Sequence, residues 1–527
     1  MTKNKTNNNK PSMLSLLLAA AMFVLVIDTS LMNVSISAIV HDVNTTVSGL
    51  QTAIALEALV SAAFILVGSK IGDIFGRKKA YILGLLGYAV GAITLTLTHS
   101  LTSIIIFWAI VGGLGASLLL PAMQSLIHGN FDGAARKKTY ALVGASAAIA
   151  AAVGPLLGGF ITTFFSWRLG FALEALIIVI VLLRVNLLKD VLYTGKKVID
   201  IVGGILSALA MGGIVLGILI WQEGGERILF FIIIGVIALF TFYYWIKRRN
   251  SKKKSPLIDP ALLKSKVFTI GISQQMFQQI ALGGLMITLP IFLQMVLEYN
   301  AFQTGLTIAP LSLSMFVVAL IAGKKAEKIR PGILVKIGFL LISLGVFSIL
   351  PIVPRADFGG ALVIPLLIVG TGFGLLVSQL NNYTLSPISE EHVSEAAGIN
   401  SAAGTFGLSF GLAAAGAVLL GTLALTFTNM TQASIIIPAD QKSQIEYLLD
   451  EDAQIMSNTQ LQQLISTEPK NVQEEIIRIN TEARNRSLQA ALVVPLLAVL
   501  LGLVNAFRMT RLPDPKPSAG KDEIVGG

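Results

Sequence analysis

Apolar stretches of about 20 residues, long enough for a helix to cross a hydrocarbon core, recur along nearly the whole chain. They fall near 13–40, 49–70, 79–99, 101–127, 139–164, 169–188, 201–221 and 227–246. Six more follow near 268–297, 305–323, 332–353, 361–386, 396–424 and 487–507. Only 13% of the residues are charged, against about 25% in soluble domains. The expectation is an all-α integral membrane protein with fourteen transmembrane helices. Lys3, Lys5 and Lys10 before the first stretch resemble a secretory signal. The stretch runs on past Asp28 to about Val40 without a clear cleavage site, so a retained helix is expected.

An even number of spans puts both termini on one side, and Lys/Arg bias says which. Most of the 39 Lys and Arg residues lie on the N-terminal side, in clusters such as "RKK" (77–79), "RKK" (136–138) and "KRRNSKKK" (247–254). That side is expected to be cytoplasmic. The net charge of +10 then reflects topology and contact with anionic lipid rather than nucleic acid. The expected division is a cytoplasmic tail (1–12), a first six-helix bundle (13–188) and a two-helix insertion with a basic connector (189–266). A second six-helix bundle (267–507) follows, containing a polar external insertion at 425–486, and then a cytoplasmic tail (508–527). The insertion is richer in acids than in bases, and its helical periodicity is broken at Pro469. Short amphipathic helices over the outer face are expected there.

Within the first bundle three carboxylates interrupt apolar helices: Asp28, Glu57 and Glu174. At 1.5 Å rise per residue each lies roughly 20 Å above the cytoplasmic edge. No lysine or arginine sits clearly at that depth, so the three should not all be ionised together. Such groups suit proton uptake and release, the binding of a cation, or protonated hydrogen bonding to a neighbouring helix. In the second bundle "SQQMFQQI" (273–280) stacks Gln274 on Gln278 and Gln275 on Gln279. Residues four apart share a helix face, and glutamines must face protein or a wet cavity rather than lipid. Gln294, Gln379, Asn381, Asn382 and Asn400 could extend a polar lining, with Phe277, Phe292, Phe373 and Phe406 adding aromatic surface. Interhelical hydrogen bonding is the alternative for these amides. A polar and aromatic wall opposite acids suits lipophilic cations or amphiphiles.

Several motifs carry a resemblance. "SKIGDIFGRKKAY" (69–81) resembles the loop signature of the major facilitator superfamily, in which Asp73, Gly76, Arg77 and Lys78 would form a conformational latch. Ser69 and Ile74 depart from that signature, and a weaker echo, "GKKAEKIRPG" (323–332), places Glu327 at the aspartate position. "AAVGPLLGGFI" (151–161) resembles the superfamily's antiporter signature through Gly154, Pro155, Gly158 and Gly159. "IDTSLMNV" (27–34), "SWRLGF" (166–171) and "SEAAGINSAAGTFGLSFG" (394–411) look like the fourteen-helix drug:proton antiporter group, the QacA/EmrB-like transporters. The resemblance spans roughly 13–424. It implies two pseudo-symmetric six-helix bundles with two extra helices between them, and Asp28 as a proton carrier. One departure matters. The family's fourth helix usually carries an arginine followed three residues later by glutamine, and here Ala109 and Gly112 stand at those positions.

These readings lead to a secondary exporter of lipophilic, cationic or amphiphilic compounds, a multi-pass protein of the bacterial cytoplasmic membrane. It would work as a monomer by alternating access. Protons carried at Asp28, with Glu57 or Glu174, would drive it, sodium being the other candidate ion. The polar surface of the second bundle would take the substrate. The rival within the same fold is a lipid or amphiphile translocator with weak or absent proton coupling, which the missing arginine and the external insertion favour. A receptor without transport would leave the buried acids without purpose. An enzyme is disfavoured by zero Cys, four scattered His and no metal-ligand or nucleophile–base cluster. No cofactor is expected, and no phosphate-binding glycine loop of the ATPase type is present.

Overall fold

The computed structural model describes residues 12–512, apart from 132, 191–199, 223–227, 253, 255, 326–328, 356–357, 386, 389–392, 440, 444–457 and 467. Glu327 and both terminal tails beyond those limits lie outside the described residues. Among the described residues fourteen helices account for the apolar stretches. They are α1 (Met13–Val34), α2 (Val47–Phe75), α3 (Arg77–Leu97), α4 (Gly113–Asn130), α5 (Gly133–Phe164), α6 (Trp167–Leu183) and α7 (Ile201–Gln222). The rest are α8 (Ile228–Ser251), α9 (Lys266–Ile291), α10 (Ala301–Lys325), α11 (Pro331–Ile349), α12 (Val363–Leu385), α13 (Val393–Ala433) and α14 (Lys470–Arg511). Thirteen are long and apolar enough to count as spans on those grounds alone. The fourteenth is α6, with 17 helical residues. No strand occurs among the described residues.

Helices α1–α6 and α9–α14 form two bundles that meet reciprocally. Helix α5, fifth of the first bundle, packs on α10, second of the second bundle, while α2 packs on α13. This exchange of the second and fifth helices is the pseudo-two-fold relation expected of a repeated half. The two inserted helices pack on each other where Gly213 and Gly235 bring their backbones together, and α7 also leans on α2 and α13.

Two helices are longer than the sequence reading allows. Helix α13 has 41 residues and α14 has 42, each roughly 60 Å at 1.5 Å per residue, twice a hydrocarbon core. Among the described residues, the polar insertion contains outward extensions of both helices and the short helix Asn458–Leu464. The latter is one short separate helix there, with Leu461 buried, and residues 444–457 lie outside the described residues. Pro469 precedes the first residue of α14, where a missing N–H costs nothing. From Lys470 onward nothing stops the helix: Pro495 is accommodated against Gly284 of α9.

The fourth span begins unusually. Residues Ile104–Gly112 form a π-helix before the regular turns of α4. A π-helical segment places one extra residue per turn, so side chains within it leave the 3.6-residue phase.

A carboxyl pair behind a midplane cavity

Asp28 and Glu174 are 1% and 2% exposed. Asp28 is held by two neutral donors on different helices. Tyr88 of α3 donates its phenol to Asp28 Oδ2 at 2.8 Å. Trp108, in the π-helical segment, donates Nε1 to both carboxyl oxygens at 3.2 Å. Glu174 of α6 is buried beside Asp28, and the two carboxyls interact directly. Neither Glu174 oxygen has a protein hydrogen-bond donor of ordinary geometry. Among the described residues no lysine or arginine pairs with Asp28, Glu57 or Glu174. Like charges this close in low dielectric repel strongly, so at most one member of the Asp28–Glu174 pair can be charged.

The structure thus brings together two of the three acids placed at one depth from the sequence. Tyr88 and Trp108 escaped the sequence reading. Both are polar-tipped aromatics on apolar helices, a signal compatible with ordinary core packing. Trp108 immediately precedes Ala109, the position of the absent arginine, and Ala109 itself is fully buried.

Glu57 is placed differently. It lines a cavity of about 400 Å³ at the junction of the two bundles, and it is only half-buried. From the first bundle the cavity takes Thr29, Ser30, Asn33, Ser61, Tyr88 and Gln124; from the second it takes Gln275, Gln279, Met286, Met315, Asn381 and Asn400. Asn400 donates to Asn381 Oδ1 at 2.7 Å. The lining runs from Glu57 to Gln124 and Asn381, which lie near the ends of α4 and α12 at the face bearing the basic loops.

The glutamine stripe of α9 divides. Gln275 and Gln279 face the cavity, whereas Gln274 is fully buried and donates to the Gly502 carbonyl of α14 at 3.0 Å. Gln278 is buried as well. Phe277 and Phe406 are partly buried in packing within the second bundle, and Phe292 and Phe373 are core residues. The expected aromatic lining is therefore absent from the described cavity wall: these rings fill gaps between helices, where their large apolar area is best used. Gln379 is buried, and the side chain of Asn382 lies outside the described residues.

At the opposite face the bundles touch. Gln294 donates to the Val34 carbonyl and accepts from the Ser37 N–H, both at 3.1 Å. The Phe302 N–H donates to Thr163 Oγ1 at 2.9 Å. Gln294 is thus a bundle-to-bundle strap rather than cavity lining. The glycine signature of α5 works on two sides. Gly154 faces Ser30 and Gly158 faces Leu31 and Val34 of α1, while Gly159 lies against the Ala301 carbonyl of α10. Reciprocally, Gly305 of α10 lies against the Pro155 carbonyl; a methyl group at either glycine would collide with backbone. Close backbone approach of this kind is what small residues permit in membranes.

In the loop joining α2 and α3, Gly76 has φ +106, a conformation that favours glycine. Arg77 is buried and donates to Ser125 of α4. The Lys78 N–H donates to Asp190 Oδ1 at 3.0 Å, so a carboxylate just past α6 caps α3, where the helix dipole favours it. Asp190 also was not picked from the sequence. Asp73 falls in the last turn of α2, but its side chain lies outside the described residues.

A family model described as Major Facilitator Superfamily matches residues 18–194 and 197–412. Among curated proteins, the Multidrug resistance protein Stp of Mycobacterium tuberculosis (strain CDC 1551 / Oshkosh) is 24% identical over 454 residues, 84% of this chain and 82% of its own. The Multidrug export protein EmrB of Escherichia coli (strain K12) is 25% identical over 405 residues, covering 76% and 78%. The Puromycin resistance protein pur8 of Streptomyces alboniger is 26% identical over 426 residues, covering 77% and 81%. Among solved structures, a bacterial homolog of the human lysosomal transporter Spinster, inward-facing and unoccupied, superposes with TM-score 0.61 at 12% identity, over 98% of this chain and 100% of its own. A peptide transporter POT in complex with sulfate gives 0.59 at 14% identity, over 95% of each. The structural likenesses agree with the fold, and the family model covers most of the chain, the first bundle and much of the second: the chain belongs to the Major Facilitator Superfamily.

Proposed function

We propose that this membrane transporter is a proton-coupled exporter of lipophilic, cationic or amphiphilic compounds, working by alternating access. The observation that carries the reading is the Asp28–Glu174 pair sealed behind Tyr88, a residue that touches both the cavity and Asp28. Buried carboxyls without a cationic partner suit reversible protonation, and the Tyr88 hydroxyl offers a relay between cavity and pair. With positive residues inside, the basic-loop face is cytoplasmic and the described state is open inward and closed outward. The Gln294 strap and the Gly159–Ala301 contact would part when the bundles rock the other way, exposing the pair to external protons. The named relatives in drug resistance and export support this direction of transport. The division into bundles 13–188 and 267–507, with 189–266 between them, belongs to the same proposal, as does a latch at Asp73, Gly76, Arg77 and Lys78. So do cytoplasmic termini, a monomeric working state and the absence of any cofactor.

The test uses purified protein in vesicles with an imposed pH gradient. Wild type should accumulate an amphiphilic cation against its gradient, and Asp28→Asn should abolish that accumulation while inserting normally. Equal gradient-driven transport in the variant would refute the assignment. Wild-type flux indifferent to the pH gradient would instead favour a lipid or amphiphile translocator of the same fold.

A further inference from the structure

Resting on the exporter reading, we propose that Glu57 recognises the charge of a monovalent organic cation in the cavity, while the proton is left to the Asp28–Glu174 pair. The three acids lie at similar depth, yet their access differs. Asp28 and Glu174 are sealed, whereas Glu57 is part of the cavity wall. Among the described lining residues Glu57 is the only carboxyl; the rest present amides, hydroxyls, one phenol or apolar surface.

Glu57 also lacks any protein hydrogen bond or ion pair among the described residues, and its electrostatic neighbour is another acid, Asp28. Asp28, in contrast, already has two donors. A ligand cation would therefore supply what the protein does not. In a partly desolvated cavity such an ion pair is stronger than in water. The backbone beneath Glu57 is fixed, because Gly113 of α4 packs so closely on the Glu57 carbonyl that an added Cβ would stand 2.8 Å from it. That places the carboxyl without a side-chain partner to hold it.

The cavity also argues for one charge and a modest size. A second carboxylate would be needed to pair a divalent ligand, and the nearest is occluded by Tyr88. Opposite Glu57, the second bundle offers Gln275, Gln279, Met286 and Met315, a mix of amide and thioether surface that accepts varied apolar bodies. A volume of about 400 Å³ lies in the lower part of the range for drug-sized ligands.

The experiment measures equilibrium binding to purified protein of two probes of related shape: tetraphenylphosphonium, a monovalent cation, and triphenylphosphine oxide, which is neutral. Glu57→Gln should weaken tetraphenylphosphonium about tenfold or more, the equivalent of about 1.4 kcal/mol, and leave triphenylphosphine oxide within twofold. Glu57→Asp should recover part of the cation affinity. Unchanged tetraphenylphosphonium binding in Glu57→Gln would overturn the proposal, and so would equal loss of both probes or failure of wild type to bind the cation. These measurements need no gradient. Absent gradient-driven flux in wild-type vesicles would count against the exporter reading while the probe comparison still decided the role of Glu57.

Discussion

Trp108 donates its indole N–H to both carboxyl oxygens of Asp28 at 3.2 Å, from the position just before Ala109. A neutral donor thus occupies the place beside Asp28 where the family resemblance led one to expect a guanidinium. A neutral partner steadies the carboxyl without supplying a charge that would have to be displaced when a proton arrives. Removing only one member of such a buried pair leaves the other unsatisfied and costs about 1–3 kcal/mol, whereas replacing both by apolar groups is far milder. Trp108→Phe should therefore lower the melting temperature of the detergent-solubilised protein in the wild-type background. In Asp28→Leu the same substitution should have little further effect. Equal losses in the two backgrounds would show that the indole acts by packing alone.

Tyr88 connects compartments, lining the cavity while donating to Asp28 at 2.8 Å. Tyr88→Phe keeps the ring and removes the hydroxyl relay. Gradient-driven transport in vesicles should fall about tenfold, a barrier change of about 1.4 kcal/mol. Equilibrium binding of a cavity ligand should persist. Full gradient-driven rates in Tyr88→Phe would place the proton path elsewhere.

What the sequence disclosed depended on which coordinate of a residue was asked for. Depth was readable. A span is a rod of known rise, so counting from its end put Asp28 and Glu174 at one level, and the structure has them side by side. Direction around the rod was readable only coarsely. Gln274 and Gln275 differ by about 100° around their helix, enough to send one into the α14 packing and the other into the cavity. At Trp108 even the phase was hidden, because the π-helical segment breaks the regular period. The outward reach of α13 and α14 was hidden for another reason. Hydropathy reports where lipid ends, and a polar helix continuing past that level looks like a loop.

The outer closure makes a prediction that the chain's own composition helps to test. Gln294→Ala removes the bonds to Val34 and Ser37, together about 1–3 kcal/mol of inward-facing preference at roughly 1 kcal/mol each. A change of about 1.4 kcal/mol is tenfold in a two-state equilibrium, so the outward-open population should rise about tenfold. The sequence contains no cysteine, so Ser61→Cys on the cavity wall introduces a single thiol. A membrane-impermeant maleimide added from outside should label Ser61→Cys faster when Gln294→Ala is also present. Unchanged labelling would mean that this strap does not hold the closed state.

The external extension is tied to the same segment. Arg484 of α14 is 5% exposed and donates to the Met295 carbonyl at 3.0 Å. Glu298, at φ 55, accepts from the Thr459 N–H at 3.0 Å and the Thr459 hydroxyl at 2.8 Å. Asn480 donates to Asn458 at 2.8 Å. The residues flanking Gln294 in sequence thus carry the short helix Asn458–Leu464, while Gln294 holds the opposite bundle. Loosening the extension should be felt at the closure. Arg484→Gln keeps a polar side chain but shortens it and removes the guanidinium. The Met295 carbonyl would then be buried without this donor, at a cost of about 1–3 kcal/mol. Limited proteolysis should cut faster around 458–464, and labelling of Ser61→Cys from outside should accelerate in the same variant. Faster proteolysis with unchanged labelling would separate the extension from the closure and assign it a purely covering role.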